Sequence, residues 1–298
     1  MFSFVIPNYN YDCTALVEAL HTQAAALKQR LGTTFDYEII VAEDGSNDPV
    51  ALHANQRLDI LPNCRHLVFT QNRGHARMRN YLVQQARFDY LIFIDSDALV
   101  CTDDFVARYW EYRNSADVVC GSLQNLSHCP RGGELRYRYE KKADRFRSLE
   151  YRRTHPYAFF SAFNTLFHRS VFDQLRFDER CTEYGYEDAL LGLMLEKKGF
   201  RIAHIDNPLI HNGIDPSAIY LQKVEASLRT LKRLGEPMHS FSALVCTQRR
   251  LKRMHLLPLV RLAYRLFRLP LRWQLFSPYP SVFLLNCYKL GYYSELKD

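Results

Sequence analysis

The sequence predicts an α/β protein in which a mostly parallel sheet is flanked by helices. Two observations carry this prediction. Short, almost wholly apolar segments alternate with longer segments whose apolar residues recur every three or four positions, as in a helix. In addition, 47% of the 298 residues are apolar and 24% are charged, so the chain can bury a sizeable core. This composition excludes fibrous and disordered proteins.

The alternation of strand and helix runs through the first third of the chain. Strands are predicted for the apolar runs at residues 2–6, 37–42, 66–70 and 90–94. Helices are predicted for residues 12–31, for about 75–86 and for 102–114. The first of these helices stops before Gly32, a residue that commonly follows a helix. Because the strands are apolar throughout, both faces of the sheet should be covered.

Each predicted strand is followed by a polar loop. The loops are Pro7–Asn10, Glu43–Ser46, Asn72–Gly74 and Asp95–Asp97. In parallel sheets, ligands bind outside the carboxyl ends of the strands. The sequence therefore predicts that the four loops converge on one ligand-binding edge.

Asp95 and Asp97 lie one residue apart, directly after the apolar run YLIFI. Two carboxylates on a turning, extended segment can both reach one hard cation, and Mg²⁺ or Mn²⁺ prefers oxygen ligands of this kind. The alternative is that the two acids cap the helix predicted for residues 102–114, a position that favours aspartate. The pair alone leaves both interpretations open.

Seven segments, taken in order, resemble the motifs of family-2 glycosyltransferases of the GT-A fold, which transfer sugars from nucleotide sugars. They are SFVIPNYN, VAEDGSND, NRGHARMRN, DSD, FNTLFHRSVF, FDE and YEDALLGLMLEKKG. The resemblance extends from about Phe2 to His211, and its specificity comes from order and spacing more than from any one motif.

The resemblance implies a donor site for a nucleotide sugar. Asp44 is placed to accept a hydrogen bond from a uracil-like base, so a UDP sugar is expected, and Arg79 lies near the diphosphate. Met78 stands where alanine is usual, and Glu43 where aspartate is commoner. The donor-binding residues that the resemblance implies are Pro7, Asn10, Glu43, Asp44, Arg79, Asp95 and Ser96.

The resemblance also implies a divalent cation, Mn²⁺ or Mg²⁺. Asp97 is expected to be a direct ligand, Asp95 to bind either the ribose or the metal, and His211 to be a third ligand. Imidazole is a common metal ligand. The alternative for His211, which lies between a proline and a glycine, is an ordinary loop residue.

Glu187 and Asp188 begin an apolar segment that predicts a helix ending at Gly199. Acids at the start of a helix are expected from the helix dipole and from capping alone. The resemblance implies a catalytic role as well, with Asp188 as the general base that deprotonates the acceptor hydroxyl and Glu187 as an acceptor-binding or supporting residue. It further implies inversion at the anomeric carbon.

The expected organisation is a GT-A catalytic domain over residues 1–236 and a basic extension over 237–298. Residues 1–121 would bind the nucleotide sugar and residues 122–236 the acceptor, a saccharide or a lipid-linked saccharide. The Arg- and Tyr-rich segment within 122–160 could meet an acceptor diphosphate or form a solvated helix face. Two other functions are open: a nucleotidyltransferase, and a non-catalytic carbohydrate-binding protein on the same fold.

Basic residues are concentrated near the end of the chain. Residues 237–294 hold nine Lys or Arg and no Asp or Glu, whereas the whole chain has a net charge of only +7. Four arginines, at 261, 265, 268 and 272, recur on one helical face among large apolar residues. Pro258 suits a helix start, and Pro270 should end or kink the helix, which predicts two short segments.

Such a composition is typical of a segment that lies on an anionic membrane surface, here over residues 246–290. The alternative is a helix packed on the catalytic domain or on a second subunit. Nucleic acid is not expected as a partner, since no nucleic-acid-binding motif accompanies the charge. Eight scattered cysteines and the lack of a leader-like or spanning segment predict a cytoplasmic protein, peripheral on the inner face of the cytoplasmic membrane.

Overall fold

The computed structural model describes residues 1–236 and 238–297, which form two compact units. The first, here called the sheet unit, comprises Met1–Leu126, Arg145–Glu179 and Glu187–Gly213. The second, the helical unit, comprises Ser127–Asp144, Arg180–Tyr186 and the described residues of 214–297. The predicted domain boundaries at 121 and 236 stay predictions, and residue 237 lies outside the described residues.

A mixed sheet of eight strands forms the centre of the sheet unit. In chain order the strands are β1 (Phe2–Asn8), β2 (Tyr37–Asp44), β3 (Cys64–Phe69), β4 (Tyr90–Ile94), β5 (Ala98–Val100), β6 (Val118–Asn125), β7 (Asn164–His168) and β8 (Ile202–His211). Across the sheet their order is β3-β2-β1-β4-β7-β6-β8-β5. The strands β3, β2, β1 and β4 are parallel to one another, as predicted, whereas β7 pairs antiparallel with β4.

Twelve helices accompany the sheet in the part of the chain that the structure describes. They are α1 (Thr14–Leu31), α2 (Pro49–Asn55), α3 (His75–Gln85), α4 (Phe105–Tyr112), α5 (Glu134–Ala143), α6 (Leu149–Thr154), α7 (Glu187–Lys198), α8 (Ser217–Leu234), α9 (Met238–Phe241), α10 (Ala243–Arg253), α11 (Leu257–Leu275) and α12 (Val282–Glu295). α5 and α8 to α12 belong to the helical unit. The α/β fold class is confirmed.

The core of the sheet unit follows from the periodicity of the sequence. α1 turns Leu16, Leu20 and Leu27 inward, at the spacing of one helical face, and all three are buried. They pack in one apolar cluster with Phe4 and Ile6 of β1. Every residue of β1 is buried, which is expected of a strand covered on both faces.

The structure adds four strands, β5 to β8, to the four that the sequence predicts, and β5 is the shortest of them. β5 follows the predicted acidic turn at once and pairs antiparallel with β8, with Ala98 opposite His211. The helix predicted for residues 102–114 is shorter than expected and runs only from Phe105 to Tyr112. β5 matters for function because its register brings the residue before Ala98 close to the end of β8.

In the helical unit, α11 packs closely against α12. Tyr264 lies over Gly291, where a β-carbon would come within 2.5 Å of the tyrosine ring, and its ring centroid is 5.4 Å from that of Tyr288. The Arg261 Nε donates a hydrogen bond of 2.7 Å to the Ser294 carbonyl. This contact requires glycine at 291, since any side chain there would push the helices apart.

The prediction that Pro270 divides this segment into two short helices is wrong. α11 is one helix of 19 residues with Pro270 inside it, and Pro258 lies in its first turn as predicted. A proline leaves the carbonyl four residues earlier, that of Leu266, without its helical hydrogen bond. Both residues lie on the exposed side of α11, where water can reach this carbonyl. Packing of the opposite side on α12 holds the two halves of the helix in line.

Candidate active site

Parallel strands deliver the predicted loops to one edge of the sheet. β1, β2 and β4 pair side by side, so the segments after Asn8, Asp44 and Ile94 leave from the same edge. Pro7 is buried within β1, whereas Ser96 is half-buried in the turn after β4. The loops after β1, β2 and β4 therefore lie at one edge of the sheet, as the sequence predicts.

Glu43 is enclosed by hydrogen-bonding side chains. Its Oε1 accepts from Asn8 at 2.9 Å and from Asn55 at 2.8 Å, and lies 3.1 Å from His66 Nε2. Burial raises the pKa of Glu43, but the hydrogen bonds from His66, Ser46 and the two asparagines outweigh it, so the net pKa is lowered. Glu43 is therefore an ionised residue that ties β1, β2 and β3 together, with no exposed surface of its own.

Asp44 and Asn10 shape the loops beside Glu43. The Asp44 carboxylate accepts hydrogen bonds from the backbone amides of Arg73, at 2.6 Å, and Gly74, at 2.9 Å, just before α3 begins. Asn10, at a positive φ of 54°, accepts from the backbone amides of Asn47 and Asp48 through its side-chain oxygen. Both residues therefore fix the backbone around the predicted base-binding position.

Arg79 links the predicted donor and catalytic residues. It projects from α3, is 1% exposed, and donates hydrogen bonds to Asp188 at 2.6 Å and to Asp95 at 2.8 Å. Its guanidinium also lies 3.6 Å from Glu187. Burial lowers the pKa of Arg79, but Asp188, Asp95 and Glu187 outweigh this effect and the net pKa is raised. Arg79 is therefore a permanent buried cation among three acids.

Glu187 differs from the other acids in its surroundings. Burial is the main cause that raises the pKa of Glu187, repulsion from Asp188 adds to it, and attraction to Arg79 only partly offsets the two. Its Oε2 and the Nε of Arg79 are buried without a hydrogen-bond partner among the described residues. Both atoms lie among the predicted catalytic residues, next to Asp188.

Asp188 is held by residues from outside its own helix. Its Oδ2 accepts hydrogen bonds from the Ser161 hydroxyl at 2.9 Å and the Ala162 amide at 3.0 Å, while Oδ1 faces Arg79. Its side chain nevertheless keeps 21% of its surface exposed. Simple capping of α7 would direct the carboxylate to the amides of that helix. The observed contacts instead orient it at the sheet edge.

Asp97 and His211 form the second polar pair of the site. His211 Nε2 lies 3.1 Å from Asp97 Oδ2, and the backbone amide of Asn212 donates 2.9 Å to the Asp97 carbonyl. The Asp97 carboxylate packs against Gly213, where only glycine fits, since a β-carbon there would lie 2.0 Å from Asp97 Oδ2. Among the described residues no three His, Cys, Asp or Glu side chains converge as a metal-binding group. Asp95 is engaged with Arg79 instead of joining this pair.

Two supporting residues escape prediction from the sequence. Ser161 holds Asp188, and Asn212 donates 2.8 Å to the Tyr11 hydroxyl while its backbone holds Asp97. Ser161 lies two residues before the segment FNTLFHRSVF and outside it, so the resemblance does not mark it. Asn212 directly follows the predicted ligand His211, which is the one indication that the sequence offers.

The chain is similar to known glycosyltransferases. Residues 3–176 match the family model for glycosyl transferase family 2. The uncharacterized glycosyltransferase YfnE of Bacillus subtilis strain 168 is 34% identical over 123 residues, which cover 40% of this chain and 29% of that protein. Chondroitin synthase of Escherichia coli is 24% identical over 250 residues, 72% of this chain and 35% of the synthase. The chain spans about a third of the length of these curated relatives.

Two solved structures share the fold. One is the mannosyltransferase PcManGT from Pyrobaculum calidifontis in complex with GDP-Man and Mn²⁺, with a TM-score of 0.57, 14% identity, and coverage of 98% of this chain and 85% of that one. The other is glucosyl-3-phosphoglycerate synthase from Mycobacterium tuberculosis with Mg²⁺ and UDP, with a TM-score of 0.51, 18% identity and 80% coverage of both chains. Since the family model covers more than half of the sequence, the chain belongs to glycosyl transferase family 2 and has the GT-A fold.

Proposed function

We propose that this protein transfers a sugar from a nucleotide sugar, with UDP as the nucleotide, to a hydroxyl of a saccharide or lipid-linked saccharide. The observation that carries the proposal is the convergence of Asp95, Arg79 and Asp188 at one sheet edge, beside which Asp97 meets His211. Asp95 and Asp188 contact the two terminal nitrogens of one buried arginine, which brings a predicted donor-binding acid and a predicted general base into one site.

The donor is proposed to bind over the loops after β1, β2 and β4. Asp44 and Asn10 hold the backbone beside the base. Glu43 is a positioning residue, because its buried hydrogen bonds join the strands that carry these loops. Asp95 and Ser96 lie towards the ribose and diphosphate. The solved neighbours bound to UDP and to GDP-Man support a nucleotide sugar without choosing the base. The choice of UDP rests on the resemblance that assigns Asp44 to a uracil-like base.

A divalent cation fits the residues present. A carboxylate and an imidazole, Asp97 and His211, are a suitable pair for Mn²⁺, and such ions are commonly bound by one or two protein groups plus substrate phosphates. When bound, Mn²⁺ or Mg²⁺ would supply positive charge to the leaving nucleoside diphosphate. The Asn212 amide holds the backbone of Asp97, and Gly213 leaves room for its carboxylate beside His211. Neighbours with Mn²⁺ and with Mg²⁺ bound support the use of a divalent cation.

Asp188 is proposed as the general base. The acceptor oxygen would attack the anomeric carbon from the face opposite the diphosphate, the bond to the diphosphate would break, and the hydroxyl proton would pass to Asp188. This single displacement inverts the anomeric carbon and needs no covalent nucleophile. Ser161, Ala162 and Arg79 fix the direction in which the carboxylate points. Glu187, whose pKa is raised, would support the acceptor site from its buried position beside Arg79.

A screen of donors tests the proposal. The full chain is incubated with UDP and GDP sugars in Mn²⁺, and release of free nucleoside diphosphate is measured with and without simple saccharides. We expect at least one UDP sugar to be consumed, with EDTA stopping the reaction. Consumption of no donor under any condition would contradict the transferase. Release of pyrophosphate from a nucleoside triphosphate would favour a nucleotidyltransferase instead.

A further inference from the structure

The outward side of α11 is an exposed apolar surface. Five large residues form it, here called the apolar face of α11: Leu259, Leu262, Leu266, Leu269 and Trp273. Each has more than half of its surface exposed, up to 74% for Trp273. Their spacing of three or four residues places them on one side of the helix. Single exposed apolar residues are ordinary, but a continuous row of five marks an interaction surface.

The apolar face is not the side that α11 uses for folding. Leu257 and Leu275 are buried, and Tyr264 packs on α12 from the opposite side of the helix. Burying one side fixes the rotation of α11 about its own axis. The apolar face is therefore presented outward by a helix that continues through Pro270.

Arginines line one edge of the apolar face. Arg261, Arg265, Arg268 and Arg272 each precede one of its members, so they occupy the adjacent strip of the helix surface, about 100° away per residue. Arg265 remains 66% exposed although it lies 3.0 Å from Glu295, and Arg272 is 3.9 Å from Glu225. Such exposed ion pairs bind weakly and leave the guanidinium able to contact other anions.

We propose that the apolar face of α11 binds the surface of an anionic lipid bilayer. Leucines and a tryptophan would enter the boundary between headgroups and acyl chains, and the arginine edge would lie against lipid phosphates. None of the described helices is long and apolar enough to cross a bilayer, so α11 would lie in the plane of the surface. A second copy of this chain would bring an identical row of arginines, whose like charge opposes pairing. This inference concerns where the enzyme acts and does not depend on the sugar transferred.

Co-sedimentation with vesicles tests the proposal on the full chain. We expect binding to vesicles of phosphatidylglycerol and phosphatidylcholine, weaker binding at high salt, and little binding to phosphatidylcholine alone. Replacing Leu266→Ser and Trp273→Ser together should abolish binding. Replacing Arg265→Gln and Arg268→Gln should weaken it roughly thirty-fold, about fivefold for each charge. All four side chains are exposed, so these variants should keep the wild-type unfolding temperature.

Two matched variants serve as controls. Ile60→Ser removes an apolar side chain that is 82% exposed in the sheet unit, and Arg30→Gln with Arg57→Gln removes two exposed charges there. Neither should alter vesicle binding. The proposal is overturned if the wild type ignores anionic vesicles, or if the α11 variants bind as well as the controls. It is equally overturned if light scattering shows a dimer that the Leu266→Ser, Trp273→Ser protein loses.

Discussion

Asp188→Asn is expected to lower the rate of sugar transfer by about 10²-fold or more while leaving donor affinity nearly unchanged. Asparagine keeps the size of the side chain but cannot take the proton of the acceptor hydroxyl. It also places an amide where either Arg79 or the Ser161 hydroxyl now donates, so it weakens the orientation of the group. Initial rates with a fixed donor, together with calorimetric titration of UDP, measure the two effects separately.

Ser161→Ala is the matched control for Asp188→Asn. It removes one hydrogen bond to the same carboxylate and leaves the base in place, so its rate should fall far less. Thermal unfolding distinguishes chemistry from stability. Should Asp188→Asn unfold at the assay temperature, with activity that follows the folded fraction alone, then Asp188 acts through structure and is not the base.

Asp97→Ala is expected to abolish turnover. Removing the carboxylate takes away the partner of His211 within this pair, so the cation would keep only one of its two proposed protein ligands. EDTA should stop the wild-type enzyme in the same way, and added Mn²⁺ or Mg²⁺ should restore the wild type but not the variant. Initial rates across a metal titration measure this difference.

Asp103→Ala provides the comparison for Asp97→Ala. Asp103 is an exposed acid six residues further along the chain, so its loss changes net charge equally without touching the pair. Turnover by Asp103→Ala should match the wild type. An Asp97→Ala protein that stays active, or a wild type that keeps its rate in EDTA, would refute the assignment of Asp97 to a metal.

The sequence predicted the elements of the sheet better than the contacts between them. Apolar runs located β1 to β4, and this part of the fold is confirmed. β1, β2 and β4 are buried on both sides, whereas β3, at the edge of the sheet, is only partly buried. β5 has three residues, too few for any periodic signal, and its register with β8 depends on a tertiary contact. Pro270 misled the prediction because local helix propensity ignores the packing that holds α11 on α12.

The candidate site was predicted as a set of residues and not as an arrangement. Arg79 and Asp188 stand 109 positions apart, and their ion pair depends on how α3 and α7 approach the same sheet edge. The buried network around Glu43 was equally invisible, since Asn55 and His66 carry no motif. Family membership is confirmed, whereas the roles of the individual site residues stay predictions.

Binding of UDP with and without a divalent cation tests the central claim most directly. Isothermal titration of UDP into the full chain should show binding in Mn²⁺ and much weaker binding in EDTA, because the carboxylates of Asp95 and Asp97 at the proposed diphosphate position would repel a free diphosphate. Equal affinity in Mn²⁺ and EDTA, or no binding in either, would contradict a metal-dependent nucleotide-sugar site at this edge of the sheet.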